Sequence, residues 1–213
     1  MWVLLFKILR AEIVERRAEI IAPRILRWLL LASIFLLPIF CTLEISHAAS
    51  VDIVSKRGRG EITLSGEIVP RDALKLWQAL ITANRRGLKV LSIRLNSGGG
   101  NVRESVTILR IVKFARLVTV VSQSDTCSSS CFLIFAAGKS RIVYPKARIG
   151  VHAASDDLDW KTDRSLRGTL AAARIAQRLR VPREIRFKMI RTPPTEMAWL
   201  RRSELLKMKT VFR

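Results

Sequence analysis

The segment of this chain best suited to covalent chemistry is Cys127–Cys131 (CSSSC), three serines between two cysteines, followed by the uncharged run Phe132–Ala137 and then Gly138. The run reads as a buried helix stopped by glycine. The serines then sit at the positive end of that helix, where an alkoxide or a tetrahedral oxyanion is favoured. The same position also suits serine as a plain helix cap. A serine hydroxyl becomes a nucleophile beside a base. Of the two histidines, His47 belongs to an apolar N-terminal stretch, so an imidazole base in the remainder has to be His152.

A second feature is the strand-like Val90–Leu95 running into Asn96–Asn101 (NSGGGN). Glycines at such a turn present backbone N–H groups with no side chain in front of them, which is what a developing oxyanion requires. Tight-turn geometry and phosphate binding use the same pattern, so the turn decides nothing by itself.

These residues need a scaffold, and hydrophobic periodicity predicts one. Glu61–Gly66 alternates as a short strand, and Ala73–Asn84 carries Leu74, Leu76, Trp77, Leu80 and Ile81 at helical spacing. Val90–Leu95 is a strand and Val102–Phe114 a helix. Val118–Ser122 is a strand, followed by the helix Cys131–Ala137. Arg141–Val143 and Arg148–His152 are short extended pieces, and Thr169–Arg180 and Arg183–Arg191 are helices separated by Pro182. Strand and helix alternating in this way predict an α/β fold with a parallel sheet. No internal repeat or low-complexity tract interrupts it.

The 213 residues carry a net charge of +21, and the N-terminal 49, with six basic and four acidic side chains, account for little of it. A charge of that size attracts anionic partners, a membrane surface among them. Lys and Arg are scattered without an aromatic-interleaved stripe or a zinc-finger or helix-turn-helix pattern, so nucleic acid is not the expected partner. Trp28–Leu43 is a 16-residue run without charge, preceded by Arg24 and Arg27 and followed by Ser46-His-Ala-Ala49. This is the layout of a secretory signal, and with flanking residues it also approaches the length of a membrane anchor. Residues 1–49 are therefore read as a signal peptide or anchor, and 50–213 as a single domain in the periplasm or on the periplasmic face of the inner membrane.

Taken in order, the segments resemble the Clp protease proteolytic subunit. Gly60–Ile68 (GEITLSGEI) is similar to that family's opening strand, and Ile93–Gly100 (IRLNSGGG) to its strand and oxyanion-hole turn. Ser129–Gly138 (SSCFLIFAAG) resembles the segment that opens on the nucleophilic serine. Arg141–His152 (RIVYPKARIGVH) resembles the stretch that ends in the catalytic histidine. The leader and the Cys-x-Ser-x-Cys variant resemble a group of exported Clp-like proteins of unassigned substrate more than the cytoplasmic protease.

The resemblance implies a Clp/crotonase-type spiral of repeated ββα units and a serine peptidase that acts through an acyl-enzyme without a cofactor. It implies Ser129 as nucleophile, His152 as base, and the N–H groups of Gly100 and Ser130 as the oxyanion hole, with Ser130 the alternative nucleophile. The family's acid precedes an aromatic residue near the C-terminus, where Thr195–Trp199 (TEMAW) offers Glu196. Asp156, Asp157, Asp159 and Asp163, on the stretch after His152, are alternatives. Relatives assemble into rings or trimers, which implies a homo-oligomer with peptide or protein substrates. The rival reading is a binding or scaffold protein that keeps the fold without turnover.

Cys127 and Cys131, at i and i+4, either form a disulfide in an oxidising compartment or remain two small buried side chains. A zinc site built from them and His152 is not expected, because the spacing is one residue longer than Cys-x-x-Cys and no fourth ligand is evident.

Overall fold

The computed structural model describes residues 48–56, 59–155 and 162–213. Contacts divide the chain into Met1–Ile45 and Ser46–Arg213, and the fold described here is that of the second unit. Trp28–Leu43, His47 and the Asp156, Asp157 and Asp159 alternatives lie outside the described residues. Among the described residues no helix is long and apolar enough to cross a membrane. The folded unit begins slightly before residue 50. Ala49 is 2% exposed and donates its N–H to Glu67 O, and its carbonyl accepts from Lys75 Nζ.

Strands β1 (Ser50–Lys56), β2 (Arg59–Ser65), β3 (Lys89–Asn96), β4 (Val118–Val121), β6 (Arg141–Val143) and β9 (Val211–Phe212) form one sheet in the order β1-β2-β3-β4-β6-β9. Each pair from β2 onward is parallel, as the alternation predicts, and β1 adds an antiparallel edge. In β2 the burial alternates along the strand, with Ile62 and Leu64 fully buried between partly exposed Glu61, Thr63 and Ser65. That is the period of a pleat with one face on the core.

A second, three-stranded sheet has the order β5 (Thr126–Ser128), β7 (Arg148–Val151), β8 (Ala198–Trp199). Single bridges Ser97↔Cys127 and Ile68↔Gly100 extend the same pattern to the residues after β3 and β2. Four times, then, a strand of the large sheet leads to a short extended piece outside it and on to a helix. These helices are α1 (Asp72–Arg85), α2 (Val102–Phe114), α3 (Ser130–Ala137) and α4 (Asp163–Arg178). This is the expected ββα spiral. Helices α5 (Arg183–Arg191) and α6 (Arg202–Lys207) follow, and β9 closes the large sheet against β6.

All eight residues of α3 are buried, in keeping with a helix that is apolar on every side. The Arg94 guanidinium on β3 grips the Asp125 carboxylate through Nε (2.6 Å) and Nη2 (2.9 Å) and so fixes the turn that leads into β5. This bond holds the Arg94 pKa above its ordinary value, against the opposing effect of burial. Helix α4 starts at Asp163, earlier than the apolar pattern from Thr169 suggests. Thr162 Oγ1 caps it by accepting from Ser165 N–H, and polar first-turn residues carry no hydrophobic signal.

Candidate active site

The site is assembled by the small sheet. Cys127 bridges Ser97, with Ser97 N–H to Thr126 O and Ser128 N–H to Ser97 O, so the glycine turn lies along one side of β5. On its other side β5 runs parallel to β7, with Ser128 opposite Gly150, and Ser129 N–H donates to Gly150 O at 3.1 Å. Beyond β7, β8 is antiparallel, with Val151 opposite Ala198. Four chain segments remote in sequence therefore reach one place through adjacent strand ends: the glycine turn, the serines, His152 and residues 194–199.

Ser129 links β5 to α3 with φ 55° and ψ −127°. A side chain disfavours that conformation, at a cost of about 1–3 kcal/mol. A strained strand-to-helix serine is held proud of its surroundings, as in the turn that exposes the nucleophile of α/β-hydrolases. Here Ser129 Oγ lies 2.7 Å from His152 Nε2. Ser130 faces elsewhere. It is 4% exposed and its Oγ is 2.9 Å from Ser105 Oγ, a partner that nothing in the sequence singled out. The geometry thus separates the two serines that the sequence left as alternatives, placing Ser129 beside the imidazole and Ser130 in the interior.

His152 Nδ1 lies 3.0 Å from Pro194 O and 3.1 Å from Glu196 O. Carbonyl oxygens only accept, so Nδ1 carries a proton, and the neutral tautomer consistent with this has Nε2 as the acceptor for the Ser129 hydroxyl. This corrects the expectation for Glu196: its main-chain carbonyl, not its exposed carboxylate, meets the imidazole. Among the described residues no carboxylate lies within hydrogen-bond distance of His152. Asp163 is turned to Arg167 in an exposed pair at 3.8 Å. A carbonyl partner leaves no trace in a sequence, because every residue has one.

Gly99 and Gly100 have positive φ, 107° and 131°. A Cβ on Gly99 would stand 2.6 Å from Ser129 Cβ, and one on Gly100 would strike Ile68 O. Gly99 is thus required for the turn to approach the serine, and Gly100 for it to pair with Ile68. The Gly99 N–H is held by Ser97 Oγ at 3.1 Å, and the Gly99 carbonyl accepts from Ile68 N–H at 2.7 Å. Among the described residues the N–H groups of Gly100 and Ser130 have no acceptor, the latter because the first N–H groups of a helix have none within it.

Cys127 and Cys131 are joined in a disulfide that spans the serine turn, and both are fully buried. Of the two readings open to them, this is the disulfide. Their sulfurs are not available as metal ligands. A cleft of about 670 Å³ opens over Ser129, walled by Ile68, Gly100, Val102, His152, Ala154 and Arg164. A narrow apolar recess lined by Leu133, Ala172 and Met189 continues from it below Ser129.

The model of the family described as Clp protease matches residues 46–166. The chain belongs to the Clp protease family. Among solved structures it is similar to ClpP1 from Listeria monocytogenes, at 19% identity, over 72% of this chain and 90% of that one, with a TM-score of 0.56. The ClpP protease catalytic domain from Plasmodium falciparum is similar at 19% identity, over 72% and 85%, with a TM-score of 0.55. A membrane-bound stomatin-specific protease, 1510-N, matches at 14% identity over 71% and 77%, with a TM-score of 0.54. At these identities the likeness is one of fold. A search of curated proteins finds no match. The stretch matched to the Clp family holds the glycine turn, Ser129 and His152, and it ends before residues 194–196, which hold the far side of the imidazole.

Proposed function

We propose that this Clp family member is an exported serine peptidase acting through an acyl-enzyme on Ser129. The observation that carries the reading is the 2.7 Å contact between Ser129 Oγ and His152 Nε2 in a ring whose other nitrogen is held by carbonyls. Ser129 Oγ attacks the substrate carbonyl carbon while Nε2 takes its proton. The tetrahedral oxyanion faces the N–H groups of Gly100 and Ser130. The C–N bond then breaks as the imidazolium protonates the leaving amine, and water releases the acyl group by the same route in reverse. No cofactor enters these steps. A 670 Å³ cleft accommodates an extended peptide segment.

Export is supported by the charged flank and apolar run of the leader, and by a disulfide, which persists in oxidising compartments. The envelope is therefore the proposed location, with the cationic surface toward an anionic membrane and with self-association into a homo-oligomer. Fractionation of expressing cells tests location, and a full-length product in the cytosol overturns it.

The rival, a binding protein without turnover, is favoured by one feature: His152 lacks a carboxylate partner among the described residues. A fluorophosphonate probe decides between them. The peptidase reading expects a single label on a peptide containing 127–131, lost in Ser129→Ala and His152→Ala. Failure of folded wild-type protein to react with several serine-directed probes overturns it.

A further inference from the structure

Helix α3 begins at the serine turn and ends, about 12 Å away, at a second concavity of about 330 Å³. The last turns of four helices line it: α2 through Lys113, α3 through Ala136 and Ala137, α4 through Arg178 and α6 through Lys207. Its lining carries six cationic side chains, Lys113, Arg141, Arg178, Arg180, Lys207 and Lys209, and no carboxylate.

Two of the six are accounted for by the fold. The Arg141 guanidinium donates to Met208 O (2.6 and 3.0 Å), Gly138 O (3.1 Å) and Ala136 O (3.2 Å), and burial lowers its pKa. Lys207 Nζ pairs with Glu184 at 2.8 Å. Lys113, Arg178, Arg180 and Lys209 are exposed and make no ion pair or side-chain hydrogen bond among the described residues.

Cations near helix C-termini are ordinarily explained by the dipole, at about half a negative charge per helix end. Four ends then amount to about two negative charges, less than the four remaining cations supply. Arg180 and Lys209 also sit at positive φ, 60° and 56°, just past the ends of α4 and α6. Glycine is the stabilising choice at that position; the chain places a cation there after α2 as well, Arg116 at φ 53°, but it is Arg180 and Lys209 that line the hollow.

We infer that this concavity is a binding site for a phosphate-bearing ligand, separate from the Ser129 cleft. Two guanidinium forks and two ammonium groups around a hollow match the oxygens of a phosphate ester or diphosphate, which arginine takes up in pairs. Its lining has no aromatic side chain on which a base could stack, which argues against single-stranded nucleic acid. The phosphate could come from a soluble anion or from a lipid headgroup, and the chemistry is shared.

Calorimetry on the full-length protein in detergent, titrated with pyrophosphate and separately with a short-chain soluble phosphatidylglycerol, tests the site. The expected result is saturable binding of one ligand per chain, weakened at least about tenfold in Arg178→Ala/Arg180→Ala/Lys209→Ala. The change should be less than about twofold in Arg85→Ala/Arg86→Ala/Lys89→Ala, which removes the same charge from another exposed turn. Loss for pyrophosphate alone identifies a soluble ligand, and loss for the lipid alone a headgroup; either supports the site. Absence of saturable binding to wild type, or equal weakening in both triple variants, overturns it. The single variant Lys209→Gln, with an unchanged melting temperature, should weaken binding by a smaller step. None of these readouts depends on Ser129, so the site can stand or fall without the peptidase.

Discussion

Ser129 Oγ and His152 Nε2 are 2.7 Å apart although 23 positions separate them in the chain. The register of two short parallel strands brings this about: Ser128 opposes Gly150, and the residues just beyond them, Ser129 and His152, meet at the strand ends. Ser130, one position on, begins the helix and turns its hydroxyl to Ser105. Ser130→Ala should therefore retain fluorophosphonate labelling, because the main-chain N–H proposed for the oxyanion survives. It should cost about 1 kcal/mol of stability from the lost buried hydrogen bond. Labelling that survives in Ser129→Ala and disappears in Ser130→Ala would reverse the assignment.

Glu196→Gln separates a carboxylate partner from a carbonyl partner. Where a carboxylate orients the histidine, its neutralisation slows the reaction about ten-thousandfold. Here the Glu196 contact to Nδ1 is main-chain, so the labelling rate should stay within about twofold of wild type. A loss beyond tenfold would place the carboxylate in the site.

The glycine turn offers a graded test. Gly98 has open space where a Cβ would be and no positive φ, so Gly98→Ala should fold and label normally. Gly99→Ala would put its Cβ 2.6 Å from Ser129 Cβ at a φ of 107°. It should slow labelling by roughly a hundredfold or more, the scale set by loss of one oxyanion donor. Equal rates for the two variants would argue that the turn does not position the serine.

The disulfide closes a short loop around Ser129, and both sulfurs are buried. Alkylating reagents should reach Cys127 and Cys131 only after reduction of unfolded protein. Cys127→Ala/Cys131→Ala should lose roughly 2 kcal/mol by the chain-entropy relation for so short a loop. It should also label more slowly, since the strained Ser129 backbone loses a restraint. Ready alkylation of both thiols in native protein from the envelope would remove the bond, and an unchanged labelling rate in the double variant would remove its role at the turn.

Much of the scaffold is legible in the residues themselves. The 3.6-residue pattern of Val102–Phe114 and the all-apolar Phe132–Ala137 have one good helical solution each, and Gly99 and Gly100 after β3 mark a backbone that side chains would block. With His47 in the N-terminal stretch read as a leader, His152 was the only imidazole to consider. Of the second sheet only β7 was legible, as the extended piece Arg148–His152. Strands β5 and β8 are three and two residues long, too short for alternation to show, and they exist because their neighbours supply hydrogen-bond partners. Sequence could not choose between Ser129 and Ser130, which are the same side chain, one residue apart. Tertiary structure decided it through the backbone turn at φ 55°, which sends one hydroxyl to the imidazole and the other to the interior. Nor could sequence find what holds Nδ1, since the carbonyls of Pro194 and Glu196 are chemically like those of all other residues, and only the pairing of β7 with β8 brings these two to His152.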